Sequence, residues 1–283
     1  MSNGPVFKWV STDWLQGRLG AFTVIDCQPS VHDYIRGHIP GAVYLNEESL
    51  RLSRGGLPHV WLDDPLASSV LSTVGVDIER PIVVYGRAVP GIPLGDGVPP
   101  PMLAYSLVRY GHGEVYVLDG GFDDWLQEDR EIETRYPAIE RSRFVARTRT
   151  GLSVDYEEFR LIKGRPHVAH LDSRPADQYA GSSYWPKRGH IPGALNIPWS
   201  EAFEAGNLCK LRDASHMMGI LERLNVTREK EVICHCGSGR KAAAQLCVLK
   251  WALGYPNVRL FEGSFTEWCA HQENPTVIGQ TPD

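Results

Sequence analysis

The stretch whose reading decides the fold is residues 231–244, EVICHCGSGRKAAA. Val232, Ile233 and Cys234 make a short apolar run of β type that ends at Cys236, and Gly237-Ser238-Gly239 breaks the chain after it. Arg240 and Lys241 follow. The chain then continues AAAQLCVLKWAL, rich in helix formers, with Ala244, Cys247, Val248 and Trp251 along one apolar face. The expected local structure is strand, tight loop, helix. A thiol placed there sits at the carboxyl end of a strand and just before a helix N-terminus. Glycines let successive backbone N–H groups turn toward one point, and the helix dipole adds positive potential. Both favour the thiolate, which is the nucleophilic form of sulfur. Arg240 and Lys241 add charge suited to an anionic substrate. The pattern points to Cys236 as a nucleophile that attacks an anion.

Free cysteine is more often a small buried hydrophobe, and that is the role expected of Cys234, Cys247 and Cys269, with Cys27 also structural. Cys234 precedes Cys236 by two and so shares its face on a strand. A lone C-x-C is a weak metal signal, and no metal or cofactor is expected.

Composition sets the outer limits. At 283 residues the chain is long enough for two domains, and 42% hydrophobic with 22% charged residues is ordinary for a soluble globular protein. A net charge of −5 gives no support to nucleic-acid or membrane-surface binding. No apolar run reaches the roughly 18 to 20 residues that span a bilayer. The opening MSNGPVFKW lacks a basic region followed by an apolar one, and six scattered cysteines make no disulfide framework. A reducing, cytoplasmic setting is the expectation.

Moving outward from Cys236, the chain proves to be duplicated. RGHIPGA occurs at 36–42 and again, identical in all seven positions, at 188–194. Each copy follows an apolar segment that ends in aspartate, Asp26 in TVIDC and Asp172 in VAHLDS. PIVVYG, ending at Gly86, answers EVICHC. The block YGHGEVYVLDGGFDDW answers LGYPNVRLFEGSFTEW, with Gly111/Gly254, Val115/Val258, Gly120/Gly263, Phe122/Phe265 and Trp125/Trp268 at matching offsets. Four blocks in one order imply two homologous domains, 1–135 and 150–283, with a charged linker over 136–149.

Within the first half, VSTDWLQGRL reads as a capped helix, FTVIDC as a strand and PLASSVLSTVG as a helix. PIVVYG is a strand, PMLAYSLVRY a helix, VYVLDG a strand and FDDWLQED a short closing helix. The fold class that follows is α/β: two tandem domains, each a mainly parallel sheet flanked by helices on both faces. Ligands of such sheets bind beyond the carboxyl ends of strands, where Cys236 falls. RGHIPGA occurs in both halves, with and without the cysteine. That assigns it a scaffold role and removes His38 and His190 as acid/base candidates.

The halves differ at the nucleophile position. Gly86 stands where Cys236 would be, and the loop after it, RAVPGIPLGDGVPPP, is longer and proline-rich. Gly86 to Gly111 spans 25 positions, against 18 from Cys236 to Gly254. The first half is read as a structural partner wall without chemistry of its own.

With these blocks in hand, the chain resembles the tandem-domain rhodanese family, the thiosulfate and 3-mercaptopyruvate sulfurtransferases, over nearly its whole length. The resemblance implies that Cys236 takes sulfane sulfur from a small anionic donor, becomes a persulfide, and passes the sulfur to cyanide or a thiol. It implies a monomer that needs no cofactor, with a thioredoxin-like reductant among its partners. The implied substrate site gathers Gly237, Ser238, Gly239, Arg240, Lys241, Arg188 and Asp172. In the family, C-G-S-G-V-T goes with 3-mercaptopyruvate, and cations after the cysteine go with thiosulfate. Here CGSG is followed by Arg240-Lys241, which favours thiosulfate. The family arginine six positions after the strand-end aspartate is Gln178 here, leaving Arg174, Lys187 or Arg188 to stand in for it.

Two other classes fit parts of the pattern. Cysteine phosphatases use H-C-x-x-G-x-x-R, whose arginine clamps phosphate with two parallel hydrogen bonds. His235, Cys236 and Gly239 fit that motif, but Ala242 occupies the arginine position. A sulfur-carrier module, taking sulfur only from a protein partner, is the other alternative, and turnover of small donors separates it from an enzyme.

Overall fold

The computed structural model describes residues 4–89 and 96–283; residues 90–95 of the proline-rich loop after Gly86 lie outside that range. Contacts divide the chain into two compact units. One comprises Met1–Arg51, Trp61–Arg149 and Phe203–Leu211, the other Leu52–Val60, Thr150–Ala202 and Arg212–Asp283. Each unit thus takes in a hairpin from the far half of the sequence. Nothing in the periodicity of the chain foreshadows those hairpins.

The first half runs β1 (Val6–Val10), α1 (Thr12–Gln16), β2 (Thr23–Asp26), α2 (Val31–Arg36), β3 (Val43–Tyr44), β4 (Arg51–Arg54) and β5 (Leu57–Trp61). It continues with α3 (Asp64–Thr73), β6 (Ile82–Tyr85), α4 (Pro99–Arg109), β7 (Glu114–Leu118) and α5 (Gly121–Gln127). Its five-stranded sheet has the order β1-β7-β6-β2-β3, every pair parallel. All four residues of β6, IVVY, are buried, as a central parallel strand requires. The helical run expected from Val10 starts later, at Thr12, capped by Ser11. Before it, VFKWV buries Phe7 and Val10 and pairs with β7, an edge strand that the sequence reading missed. Residues 136–149, expected as a linker, run along this first unit. Ser142 N donates to Ser72 O at 3.0 Å and Arg147 N to Tyr110 O at 2.9 Å, and Phe144 is buried.

The second half repeats the plan: β8 (Ser153–Val154), α6 (Tyr156–Ile162), β9 (Val168–Asp172), α7 (Ala176–Ala180), β10 (Leu195–Asn196), and the short hairpin β11 (Phe203–Glu204) with β12 (Asn207–Leu211). Then come α8 (Ala214–Arg223), β13 (Glu231–His235), α9 (Arg240–Cys247), β14 (Val258–Phe261) and α10 (Ser264–Ala270). The sheet order β10-β9-β13-β14-β8, again all parallel, is the order of the first sheet with each strand replaced by its counterpart. The expected single apolar face of the helix after Cys236 is a correction. Every residue of α9 except Lys241 is buried, so this helix lies inside the unit, and it runs on as a π-helical turn over Val248–Ala252.

The repeated heptapeptide does the same work twice. His38 Nδ1 meets Tyr34 O at 2.9 Å and His190 Nδ1 meets Tyr179 O at 2.9 Å, each imidazole stacked on that tyrosine's ring. Both backbones also pair with the chain that follows the closing helix, His38 with Glu133 and His190 with Val277. These histidines brace a loop, as the sequence implied.

Candidate active site

Cys236 follows the last residue of β13, the central strand of its sheet, and is 2% exposed. The loop beyond it is held against the start of α10. Phe265 N donates to Cys236 O at 2.9 Å, and Thr266 donates to Gly237 O through both its N–H, at 2.9 Å, and its hydroxyl, at 2.7 Å. Cys236 N donates to Ser264 Oγ at 3.1 Å, and that hydroxyl donates onward to Phe261 O at 2.9 Å. Ser264 holds φ 52°, a left-handed conformation uncommon for a residue with a side chain. Gly239 turns the chain at φ 79° into α9. A helix leaves its first N–H groups without intrahelical acceptors, so the α9 terminus presents donors and positive potential next to the cysteine. Arg240 is buried in the first turn, and Lys241 beside it is half-buried. The structure therefore brings Cys236, Gly237, Ser238, Gly239, Arg240 and Lys241 into one strand–loop–helix unit.

Of the residues expected from farther away, Asp172 ends β9, the neighbour of β13, and is fully buried. Both its oxygens accept from Arg174 Nε, at 2.9 and 3.0 Å, Oδ2 also accepts from Nη2 at 2.5 Å, and the Arg174 backbone N–H adds a fourth bond at 3.0 Å. Burial pushes the Asp172 carboxyl up, but the charge and hydrogen bonds of Arg174 outweigh that and hold it below the ordinary carboxylate value. Asp172 is thus occupied by Arg174, not exposed for a substrate. Arg174 is 1% exposed, lies 4.0 Å over the Phe265 ring and also donates to Gly189 O at 2.9 Å. Its Nη1 has no partner among the described residues. A buried guanidinium nitrogen without an acceptor is uncommon and calls for an explanation. Lys187 is spent elsewhere, its ammonium donating to the carbonyls of His271, Gln272 and Asn274 at 2.8, 3.0 and 2.6 Å. Arg188 is exposed and donates Nε to Gly181 O at 3.0 Å. Of the three cations weighed as replacements for Gln178, only Arg174 has a buried nitrogen left over.

Trp185 was not singled out in the sequence. Its indole N–H donates to Thr266 Oγ1 at 2.9 Å, its ring meets Phe265 edge-on at 5.7 Å, and a β-carbon on Gly237 would stand 2.2 Å from its Cζ2. Only glycine fits at 237, because the tryptophan ring lies on that peptide.

The first unit has glycine, Gly86, at the position of Cys236. Phe122 N donates to Gly86 O at 2.8 Å, the counterpart of the Phe265–Cys236 bond. A β-carbon on Gly86 would meet Pro100 Cγ at 3.0 Å, so the position is filled by the start of α4. Gln28 stands where Arg174 would be, and without a guanidinium Asp26 is pushed up to about 6 by burial, against weaker opposing hydrogen bonds from Tyr85 and Gln28. The comparison of D-C-Q with D-S-R was legible in the sequence and identifies Arg174.

Burial drives the thiols of Cys234, Cys247 and Cys269 up from their ordinary value, as befits packing residues. Among the described residues, no three His, Cys, Asp or Glu side chains converge in a way that could hold a metal ion. No helix among them is long and apolar enough to cross a membrane. Two cavities lie away from Cys236: one of about 610 Å³ along residues 137–143 of the first unit, and one of about 410 Å³ at the amino ends of β13 and β14.

Comparison with known proteins agrees with the geometry. The sequence model described as Rhodanese-like domain matches residues 11–128 and 155–271. The thiosulfate sulfurtransferase of Azotobacter vinelandii is 30% identical, over 93% of this chain and 94% of its own. The 3-mercaptopyruvate sulfurtransferase of Escherichia coli K12 is 28% identical, over 94% and 96%. Among solved structures, the EanB Y353A variant with ergothioneine superposes with a TM-score of 0.84 over 96% of this chain and 70% of that one. At 20% identity that match speaks to the fold alone.

Proposed function

This chain belongs to the rhodanese family and is a thiosulfate or 3-mercaptopyruvate sulfurtransferase, and we propose that it works through a persulfide on Cys236, with thiosulfate used at least as well as 3-mercaptopyruvate. The observation that carries this is the position of Cys236 between the central strand and the α9 N-terminus, followed by two cations. In the first step the thiolate attacks the outer sulfur of thiosulfate. The S–S bond of the donor breaks, sulfite leaves with its electron pair, and Cys236 carries S–S⁻. In the second step a cyanide or thiolate acceptor attacks that terminal sulfur, and the cysteine thiolate leaves. Transfer to cyanide or a monothiol needs no redox partner, because the sulfane sulfur only changes owner; a dithiol acceptor would be oxidised to its disulfide as the sulfur leaves as hydrogen sulfide. Each state of the cysteine is an anion, and the donors of the loop and of the α9 first turn stabilise it throughout.

Anion binding falls to Arg240, Lys241 and the unpartnered Nη1 of Arg174. Ser238 offers a hydroxyl to a carboxylate or carbonyl oxygen, the arrangement that would favour mercaptopyruvate. Loss of one charged contact costs about 1.5–3 kcal/mol, roughly 10- to 150-fold in kcat/KM. The test is kcat/KM for both donors on the wild type and on Arg240→Ala, Lys241→Ala and Ser238→Ala. Cation variants should lose thiosulfate turnover by that factor. If they leave it unchanged while Ser238→Ala cripples mercaptopyruvate turnover, mercaptopyruvate is the better assignment. A thioredoxin-like reductant as final acceptor, and a monomeric state, belong to the same proposal and are read by coupled turnover and by sedimentation.

A further inference from the structure

Beyond the nucleophile loop, the two halves of the chain differ most between the tyrosine and the histidine that stack on each other. That pair is four residues apart in the first unit, Tyr34 and His38, and eleven apart in the second, Tyr179 and His190, so the second carries seven extra residues (11 − 4). The insertion is found only in the half that holds the cysteine. It begins where Gly181, at φ 133°, ends α7. At its far end the Lys187 ammonium is tied to three carbonyls. Tyr184 within it is 88% exposed, and Trp185 turns inward.

The indole lies across the peptide that follows Cys236, at the contact distance that bars a β-carbon from Gly237. It also lies 5.3 Å from the Arg174 guanidinium, on which Nη1 is unpartnered. Its hydrogen bond to Thr266 Oγ1 couples it to the loop, since the same hydroxyl donates to Gly237 O. Cys236, the residue before that peptide, is 2% exposed, so a sulfur donor reaches it only when its cover opens. The segment is anchored at both ends, and its middle is held by one neutral hydrogen bond, ring contacts and a local Ser183 turn, in which Ser183 Oγ accepts from Trp185 N at 3.0 Å. Such contacts can exchange between closed and open arrangements on the time scale of turnover.

We propose that residues 181–187 form a strap and that Trp185 is a specificity-determining residue, closing over the Cys236 loop so that compact anionic donors are admitted and donors with an aryl group beside the transferable sulfur are rejected. This rests on Cys236 being the residue that accepts sulfur. With an aryl thiosulfonate the step is balanced as for thiosulfate. The sulfane sulfur joins Cys236, and the aryl sulfinate leaves with the electron pair of the broken S–S bond.

The test uses the full chain as wild type, Trp185→Ala and Trp185→Phe, with two readouts. The first is the rate at which iodoacetamide alkylates Cys236 in the absence of donor, followed on the Cys236 peptide by mass spectrometry. The second is the ratio of kcat/KM for benzenethiosulfonate to that for thiosulfate, with cyanide as acceptor. Trp185→Ala should raise both by about tenfold or more, the scale on which a hydrophobic wall discriminates between substrates. Trp185→Phe, which keeps a ring and loses the indole bond to Thr266, should fall between the two. If Trp185→Ala does not fold, the Phe variant decides, with faster alkylation supporting the strap and an unchanged rate overturning it. Alkylation rate and donor ratio both equal to wild type in a folded Ala variant would also overturn it. Alkylation reads access alone. A wild type that forms no persulfide on Cys236 would therefore sink the proposed function, while the alkylation rates still judge the strap.

Discussion

Replacing Arg174 by glutamine would give the second unit the pair that the first already has, a strand-end aspartate followed two residues later by an amide. The first unit supplies the scale. Asp26, beside Gln28, is pushed up to about 6 from an ordinary 3.8, whereas Asp172, beside Arg174, is held below that ordinary value. The substitution should therefore raise the Asp172 carboxyl, which costs stability at neutral pH. Breaking one side of a buried ion pair typically costs about 3–5 kcal/mol. Against a total stability of about 5–15 kcal/mol the effect is large and measurable. Its pH dependence has a definite sign. In the variant, as at Asp26, burial without a guanidinium raises the folded carboxyl above the unfolded one, so the deficit shrinks as pH falls and the buried group takes up its proton. Urea unfolding of both proteins at about pH 7.5 and about pH 5 measures this, the gap between them narrowing at the lower pH. Sulfur-transfer assays on the same proteins should show a KM for thiosulfate raised about tenfold or more, with kcat changed less, because the lost contact is to the bound donor. A variant as stable as wild type at both pH values, with KM unchanged, would refute both the ion-pair argument and the anion-binding role of Nη1.

Installing a thiol in the first unit should not create a second site: Gly86→Cys in a Cys236→Ser background is expected to transfer no sulfur and to be destabilised, since its β-carbon meets Pro100 at 3.0 Å. Persulfide on residue 86 would contradict that. The buried histidines of the second unit and the buried Asp26 of the first should respond to acid in opposite ways, with His112 of the first unit, held down by burial, siding with the histidines. His235 is held down at about 4 and His170 well below its ordinary value, in both cases chiefly by burial, so their contribution is intact above about pH 6.5 and is lost as pH falls. Asp26 is raised, so its contribution is present at acid pH and is lost as pH climbs through about 6. Hydrogen exchange resolved by peptide should show the second unit loosening first between pH 6.5 and pH 4, and the same order in both directions would count against these assignments.

The parts of the account that were legible in the sequence are those where a local rule decides. Apolar runs such as IVVY and EVICH have to be central strands, the repeated RGHIPGA fixes the duplication, and a cysteine between strand and glycine loop has few structural uses. What escaped depends on contacts between distant residues. The β1 strand is only five residues long and runs straight into a capping serine, so its last residue, Val10, reads as the start of a helix and the rest does not read as a strand. Trp185 sits in a polar, proline-containing stretch where nothing local says that its ring lies on Gly237. Ser264 is one of several serines until its Oγ is seen to accept from Cys236 N. Arg174 could have been singled out by aligning D-S-R with D-C-Q, but its spare nitrogen appears only once Asp172 and Gly189 are placed around it.

The most direct test of the account is the location of the transferred sulfur. After incubation with thiosulfate and removal of excess donor, peptide mass spectrometry should find a gain of about 32 Da, one sulfur atom as a persulfide, on the peptide containing Cys236. The gain should disappear on addition of cyanide and be absent from Cys236→Ser. Both cysteines of β13 and its loop will share a peptide, so fragmentation must place the added mass on Cys236 and not on Cys234. Sulfur found on Cys234, Cys247 or any other cysteine, or turnover that survives in Cys236→Ser, would contradict the central claim.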